Sequence, residues 1–366
     1  MPRRFLIAPD KFKGSLTAPE AAAAMAAGIL QREPDAELDL CPIADGGDGF
    51  METLAAAFIG EWIVCSAVDA LGREIASRYY LAETAAGPTA IFEMAETSGL
   101  WRLTAQERDP LHSTTHGVGM QMRHAISQHA PARMILGIGG SATNDGGCGM
   151  AAALGVTFSG ANVTRPDPSN LAGVCRVDAR RRIALPKILA ACDVDHPLLG
   201  KHGATAVFSA QKGATAADQI ILEQALVHLV SVCGGQAAAL LPGAGAAGGL
   251  GFGLLYFAKA ELVPGFDLIA KLLGLENRVR RADLVVTGEG SIDIQSLSGK
   301  GPVALARLAA SFGVPTAGFC GIADRAARAS GIFAILHALA DSGLPLETLM
   351  TRAGPLLTEL VSNTDL

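Results

Sequence analysis

The chain has 366 residues, of which 50% are hydrophobic and 17% charged, and its net charge is −6 at pH 7. This composition is typical of a folded globular protein, and the length indicates about two domains. The small negative charge, the few aromatic residues and the lack of a long basic run argue against a nucleic-acid partner. The cysteines stand singly, without a CxxC pair, which favours reduced thiols in a cytoplasmic protein over disulfides or a zinc ribbon.

No membrane segment is predicted. The apolar run near the N-terminus stops at Pro9, which is too short for the core of a signal peptide. Residues 229–258 carry no charge, but eight glycines and Pro242 interrupt them. Because a spanning helix needs about 20 predominantly apolar residues, we expect here a buried, glycine-rich loop flanked by helices.

The elements predicted along the chain change character twice. A β-α-β-α opening typical of a parallel sheet is followed by an antiparallel meander and a mixed middle, and from residue 282 regular alternation resumes. The predicted strands cover residues 5–8, 38–44, 62–69, 77–81, 89–93, 134–138, 188–192, 284–287, 316–320 and 332–336. The predicted helices cover residues 18–31, 50–58, 109–128, 150–154, 218–233, 267–273, 303–312, 323–330 and 346–361.

The simplest architecture for this order is an α/β fold with a discontinuous first domain. Both chain ends, residues 1–61 and 281–366, would build a Rossmann-like domain with a parallel sheet. Residues 62–280 would form an inserted second α/β domain with a mixed sheet.

The stretch from residue 134 to 155, MILGIGGSATNDGGCGMAAALG, combines a strand, a glycine turn and the start of a helix. Glycines let backbone N–H groups approach a ligand, and a helix N-terminus carries partial positive charge. Ser141, Thr143 or Asn144 can cap that helix. The stretch therefore predicts an anion site. A tight strand-to-helix connection without a ligand has the same signature, and this turn alone does not decide between them.

Charged side chains follow several other predicted strands. In open α/β sheets, ligands bind outside the carboxyl ends of the strands, so these side chains are expected to share one edge. Lysines neutralise phosphate oxygens and carboxylates hold Mg²⁺ directly or through water, so the set suits phosphate with Mg²⁺. The residues are Asp10, Lys11, Lys13, Asp45, Asp48, Glu289, Asp293 and Lys300.

Other short motifs leave alternatives open. GxxxxGK[ST] is absent from the sequence, which excludes a P-loop by motif. Residues 137–142 and 243–248 match GxGxx[GA] patterns, so a dinucleotide-dependent oxidoreductase is an alternative, although the acidic residue expected after a strand is missing or poorly placed. Spacing does not decide whether the turn at 139–147 or the turn at 243–251 binds phosphate. Asp193, Asp195 and His196 fit either a turn before Pro197 or a catalytic or Mg²⁺-linked role.

Seven blocks of the sequence, taken together, resemble the class I glycerate kinase family. They stand in the family's order and extend over nearly the whole chain. They are APDKFKGSLTAPEAA (8–22), PIADGGDGF (42–50), IGGSATNDGGCGMAAALG (138–155), ACDVDHPLLG (191–200), GATAVFSAQKGAT (203–215), LPGAGAAGGLGFGLL (241–255) and ADLVVTGEGSID…SGKGPVALA (282–306).

The resemblance implies a two-domain α/β kinase that uses ATP and Mg²⁺ to convert D-glycerate to 2-phosphoglycerate in an interdomain cleft, with oligomeric state left open. The expected catalytic residues are Asp193, Asp10 and Lys13, with Asp193 as the group that orients or deprotonates the hydroxyl. The expected Mg²⁺ residues are Asp45, Asp48 and Glu289. The expected substrate- or phosphate-binding residues are Ser15, Gly139, Gly140, Ser141, Asn144, Asp145, Lys212, Gly288, Asp293 and Lys300. A non-catalytic sensor of sugar acids or nucleotides is the rival from another class.

Overall fold

The computed structural model describes residues 2–44, 46, 47, 49–161, 163, 165–294, 296–298 and 301–366. The chain forms two compact units. We call them the terminal unit, which comprises Met1–Asp45 and Phe266–Leu366, and the central unit, which comprises Gly46–Gly265.

The strands, in chain order, are β1 (Arg4–Ile7), β2 (Glu37–Leu40), β3 (Gly60–Val68), β4 (Glu74–Thr84), β5 (Gly87–Glu93), β6 (Arg133–Gly137), β7 (Thr157–Gly160), β8 (Val174–Asp178), β9 (Lys187–Ala191), β10 (Glu261–Val263), β11 (Leu284–Thr287), β12 (Ser291–Ile292), β13 (Thr316–Cys320), β14 (Ile322–Ala323) and β15 (Ile335–Ala338). The α-helices are α1 (Ala18–Arg32), α2 (Phe50–Ala57), α3 (Ala95–Ser98), α4 (His116–His129), α5 (Cys148–Ala153), α6 (Ala204–Phe208), α7 (Ala216–Cys233), α8 (Gln236–Ala239), α9 (Ala246–Gly253), α10 (Gly265–Leu273), α11 (Leu275–Val279), α12 (Gly301–Ser311), α13 (Arg325–Ala329), α14 (Leu346–Thr351) and α15 (Ala353–Ser362).

The terminal unit is built on a parallel sheet with the strand order β15-β13-β11-β1-β2. Apart from the exposed Arg4, its central strands are buried and mostly apolar, as expected for a parallel sheet covered on its faces. Helix α1 packs its buried side, including Met25 and Ile29, into the same core as Phe5 and Phe319. The helix begins as predicted, because Thr17 and Glu20 form a capping box.

The central unit contains a mixed sheet with the order β10-β9-β6-β5-β4-β3. Strands β3, β4 and β5 form the predicted antiparallel meander, and β5, β6, β9 and β10 are parallel. The predicted α/β fold class, with one parallel and one mixed sheet, is confirmed.

The two units divide near residues 45 and 265, whereas the sequence placed the domain bounds near 61 and 281. Helix α2 belongs to the central unit because it packs against β4 and β5. Helices α10 and α11 lie mostly in the terminal unit, where Arg278 of α11 pairs with Asp39 of β2. Neither contact has a local sequence signal.

Several predicted elements are wrong in part, and the strand predicted over 332–336, for example, lies at Ile335–Ala338. The helix predicted over 109–128 begins only at His116, since Thr115 donates both its backbone N–H and its hydroxyl to Asp145. The strand predicted over 38–44 ends at Leu40. The helix predicted over 346–361 is two helices, and the break falls at Arg352, three residues before Pro355. Proline lacks the N–H that a continuous helix would need at that position.

Among the described helices, α7 is long and apolar enough, by length and composition, to cross a membrane. Its buried side chains Leu226, Leu229 and Val230 belong to the hydrophobic core of the central unit. The uncharged segment that follows contains α8 and the kinked helix α9.

Candidate functional site

In the terminal unit, the loops after β1 and β11 are joined by backbone hydrogen bonds at the carboxyl edge of the sheet. The N–H of Asp10 donates to the carbonyl of Gly288 over 2.8 Å. The N–H of Gly290 donates to the carbonyl of Lys11 over 3.3 Å. Two of the predicted strand-end segments are thus brought together, as the parallel topology requires. Gly288 has to be glycine, because a Cβ there would lie 1.6 Å from the carbonyl oxygen of Phe319.

The predicted residues of the first loop differ in exposure. Asp10 is nearly buried at 6% exposure, and its Oδ1 accepts a 2.6 Å bond from the N–H of Lys11. Its Oδ2 lies 3.4 Å from the position that a Cβ on Gly301 would take, at the start of α12. Lys13 is exposed at the tip, and the Ser15 hydroxyl donates to the carbonyl of Phe12.

The segment after β11 carries two predicted carboxylates. Glu289 is partly buried, and Asp293 accepts a 3.0 Å bond from the N–H of Ser296, at the start of the short 3-10 helix Ser296–Ser298. Asp293 therefore has a structural role as a cap. Asp45, Asp48 and Lys300 lie outside the described residues.

The carboxylates at this edge fit a magnesium ion by their chemistry. No group of three potential metal-binding side chains is found within the described ranges. Mg²⁺ is usually held by only one or two carboxylates, with waters and substrate phosphates completing its shell. Glu289 and Asp10, on loops joined by the hydrogen bond from Asp10 to Gly288, offer oxygen ligands of the right kind.

In the central unit, the glycine turn after β6 packs closely on the loop before α2. The N–H of Gly139 donates to the carbonyl of Gly46 over 3.1 Å, and a Cβ on Gly139 would lie 2.5 Å from Cα of Gly47. Gly140 is exposed and has a φ of +71°, and Ser141 pairs with Gly99 in an isolated bridge. Position 139 therefore requires glycine because the backbone at Gly47 lies too close for a side chain.

The two glycine-rich turns that the sequence left as alternatives pack against each other. The N–H of Gly146 donates to the carbonyl of Gly248 over 3.1 Å. A Cβ on Gly248, whose φ is +67°, would lie 1.8 Å from the carbonyl oxygen of Thr143. The segments 139–147 and 243–251 therefore form one packed region.

Asp145 is the centre of a buried hydrogen-bond network beneath the turn. Its Oδ2 accepts bonds from the N–H and the hydroxyl of Thr115, at 2.8 and 2.9 Å, and from the N–H of Gly149 at 3.1 Å. Its Oδ1 accepts from the N–H of Gly147 at 3.0 Å. The sequence assigned the cap of helix α5 to Ser141, Thr143 or Asn144, whereas the N-cap residue is Gly147 and the Asp145 carboxylate accepts from the N–H groups of Gly147 and Gly149 at the start of the helix. Burial raises the pKa of Asp145, and these four hydrogen bonds act in the opposite direction.

Lys212 is buried beside the same turn, with 1% of its surface exposed. Its Nζ donates a 2.7 Å bond to the carbonyl of Thr143. Burial lowers the pKa of Lys212 to about 7, and the nearby Asp145 carboxylate opposes that shift. Lys212 thus supports the backbone of the turn from inside the protein.

Asn144 is also fully buried, and its Nδ2 donates to the hydroxyl of Thr205 over 3.1 Å. Its Oδ1 and the hydroxyl of Thr143 have no hydrogen-bond partner among the described residues. Buried polar atoms are normally satisfied, so these two atoms require an explanation.

Asp193 follows β9 at the same end of the mixed sheet as the turn after β6. It is exposed, and its Oδ1 accepts a 2.7 Å bond from the N–H of Gly265, the first residue of α10. The carboxylate is therefore held in place by the backbone N–H of Gly265.

Two residues of this region are not among those predicted from the sequence. Thr115 holds Asp145, and Glu93, at the end of β5, accepts bonds from the N–H groups of Gly49 and Met51 at the start of α2. Glu93 lies at the carboxyl end of a strand, and this position could have marked it as a candidate. Asp10 and Glu289 were selected because they follow the carboxyl ends of strands. Thr115 had no such signal, because its partner is 30 residues away.

The fold and these loops define an α/β protein with glycine turns, lysines and carboxylates at strand ends, an arrangement typical of proteins that handle phosphorylated ligands. The family described as the glycerate kinase family matches residues 5–364. The chain therefore belongs to the glycerate kinase family, and the resemblance seen in the sequence is confirmed.

Individual relatives agree with this assignment. A glycerate kinase of Bacillus subtilis is 40% identical over 356 residues, which cover 94% of this chain and 92% of the relative. The glycerate 2-kinase of Escherichia coli is 37% identical over 334 residues, or 87% of this chain and 85% of the relative. A crystal structure described as a candidate glycerate kinase 2 from Salmonella typhimurium LT2 has a TM-score of 0.86 at 34% identity, covering 99% of this chain and 97% of that chain. The protein is thus an enzyme of a kinase family that acts on glycerate.

Proposed function

We propose that the protein transfers the γ-phosphoryl group of ATP to D-glycerate and that the product is 2-phosphoglycerate. The observation that carries the proposal is the match of the glycerate kinase family to residues 5–364. The position of transfer is supported by the similarity to the Escherichia coli protein, whose name specifies a 2-kinase. The residues at the strand ends are of the types that phosphoryl transfer needs, since this reaction depends on positioning and charge neutralisation.

In this proposal the two units supply different groups to the reaction. Lys13 and Lys300 neutralise phosphate oxygens, while Asp10, Ser15, Gly288 and Asp293 shape the loops of the terminal unit. Gly139, Gly140, Ser141 and the backbone near Asn144 bind an anionic group of ATP or glycerate. Asp145 and Lys212 belong to the same binding region. That these groups line a cleft between two domains stays a prediction.

Mg²⁺ is the metal that the proposed reaction implies. Asp45, Asp48 and Glu289 would hold it, largely through water molecules, as is common for Mg²⁺ beside nucleotide phosphates. When bound, the ion reduces the negative charge on the phosphates. We propose a cytoplasmic enzyme whose partners are small molecules, without nucleic acid or membrane.

Asp193 is proposed to accept the proton of the attacking glycerate hydroxyl. We expect Asp193→Asn to lower kcat by about 10²- to 10⁴-fold, the usual contribution of a general base. Asparagine keeps an oxygen for the N–H of Gly265, so the fold should be retained. Asp267→Asn, an exposed substitution in α10, is the matched control. An unchanged kcat in Asp193→Asn would remove Asp193 from this role.

The proposal is tested by measuring ADP release with D-glycerate, ATP and MgCl₂ in a coupled assay. We expect turnover that depends on glycerate and disappears with excess EDTA. Absence of turnover with glycerate and with related hydroxy acids would contradict the proposal. NADH and NADPH titrations followed by fluorescence test the oxidoreductase alternative, and binding of glycerate without turnover would favour the sensor.

A further inference from the structure

Arg108 is a partly buried cation without an acidic partner in the described part of the chain. It follows the short 3-10 helix Ala105–Glu107, and its Nε is buried and has no hydrogen-bond partner among the described residues. Its guanidinium donates a long hydrogen bond of 3.5 Å from Nη1 to the carbonyl of Gln211. A guanidinium is always charged and offers five donors, so a partly buried one requires acceptors.

The segment that packs on Arg108 also carries the buried Lys212. Gly213 has a φ of +100°, and a Cβ there would lie 2.7 Å from the carbonyl oxygen of Arg108. The preceding residue, Lys212, donates from its Nζ to the carbonyl of Thr143. Arg108 therefore contacts the short segment 211–213, and Lys212 of this segment contacts the glycine turn through the carbonyl of Thr143.

The turn reached in this way holds the two unsatisfied polar atoms described above, Thr143 Oγ1 and Asn144 Oδ1. The Nδ2 of Asn144 is engaged by Thr205, so the unsatisfied atom is an acceptor. An amide oxygen repels a phosphate oxygen but accepts a hydrogen bond from a hydroxyl. A cation on the segment whose Lys212 supports these acceptors for hydroxyl groups matches a hydroxy acid better than a phosphate.

We propose that Arg108 binds the carboxylate of the hydroxy-acid substrate and so determines the specificity of the enzyme for an acid. This inference rests on the proposed function, since it takes glycerate as the substrate. A planar guanidinium forms paired hydrogen bonds with a carboxylate, and charge-assisted bonds of this kind are the stronger ones. The side chain that orients the substrate would then come from the central unit.

The test compares binding of D-glycerate and of its uncharged analogue glyceramide to the full chain by titration calorimetry, without ATP. We expect Arg108→Gln to raise the Kd for D-glycerate at least about 30-fold, in line with loss of a charge-assisted pair. The Kd for glyceramide and that for a fluorescent ATP analogue should change less than about threefold. Arg108→Lys should restore only part of the affinity, because lysine cannot bind a carboxylate through two donors.

Arg133→Gln is the matched control, because Arg133 is also partly buried and lies at the amino end of β6, where it donates to Thr84 and Thr89. The glycerate affinity of Arg133→Gln should equal that of the unaltered protein.

If Arg108→Gln does not fold, the test rests on Arg108→Lys, and an unchanged glycerate affinity in Arg108→Lys contradicts the inference. Loss of ATP affinity with glycerate affinity retained would assign Arg108 to phosphate and also overturn it. If the unaltered protein binds no D-glycerate, the proposed function fails first and this assignment fails with it.

Discussion

The loops of the terminal unit and the turn of the central unit share a sequence signature but differ in where their charges lie. After β1, the chain holds its shape through backbone bonds to the loop after β11, and Lys13 is exposed. After β6, Asp145 and Lys212 are buried and hold the turn from below. Charged residues beside glycines can therefore either face a ligand or build the loop that faces it, and burial separates the two cases.

The largest effect on stability is expected from Asp145→Ala. The substitution leaves four donors without their acceptor and removes the carboxylate near the buried Lys212. We expect the free energy of unfolding of the central unit to fall by about 3–5 kcal/mol, as when one partner of a buried pair is removed. Urea unfolding followed by tryptophan fluorescence reports on this unit, because both tryptophans, Trp62 and Trp101, lie in it.

The control for this substitution is Glu83→Ala, at an exposed position of the central unit, which should change stability by less than about 0.5 kcal/mol. A loss below about 1 kcal/mol in Asp145→Ala would show that the network is not the support that its geometry indicates.

A second effect, which is smaller than the first within any one pH unit, depends on pH and comes from Lys212. Its pKa is about 7 in the folded protein, below the ordinary lysine value of 10.5. Between these values the unfolded chain holds the proton and the folded protein does not, so raising the pH favours the folded state. The free energy of unfolding relative to Lys212→Met should rise by up to about 1.4 kcal/mol per pH unit above pH 7.

Urea unfolding of both proteins at several values between pH 6 and pH 10 measures this difference. Below the folded pKa, Lys212 is protonated in both states and the difference should level off. A difference that is the same at every pH would mean that Lys212 does not release its proton in the fold.

The smallest effect on stability, and a clear effect on activity, is expected from Lys13→Ala in the terminal unit. Because Lys13 is exposed, the free energy of unfolding should change by less than about 0.5 kcal/mol. If Lys13 neutralises phosphate, kcat/KM should fall at least about tenfold. Lys271→Ala, another exposed lysine of this unit, is the control for steady-state kinetics. Equal kinetics in the two variants would place Lys13 outside the site.

The sequence predicted the fold class because its signals are local. Apolar runs such as Leu284–Thr287 and Thr316–Cys320 coincide with the observed strands, and Thr17 with Glu20 marked the start of α1. The errors arise where a distant partner decides. The helix expected from residue 109 starts late because Thr115 is held by Asp145, and α2 belongs to the central unit because of its packing on β4 and β5.

The residue types of the candidate site could be predicted from the sequence, but the role of each residue could not. Strand ends selected Asp10 and Glu289, and the topology explains why. Burial could not be predicted, so Asp145 and Lys212 stood beside exposed residues in one list of candidates. Arg108 lacked any motif that marks it, because its significance depends on an unsatisfied Nε that appears only in three dimensions.

The central claim, phosphorylation of D-glycerate at O2, is tested most directly by ³¹P NMR of the product formed from D-glycerate, ATP and MgCl₂. We predict a new phosphomonoester signal that proton coupling splits into a doublet, because the phosphorus of 2-phosphoglycerate couples to the single proton on C2. A triplet, from coupling to the two protons on C3, or no new phosphomonoester signal at all, would contradict the claim.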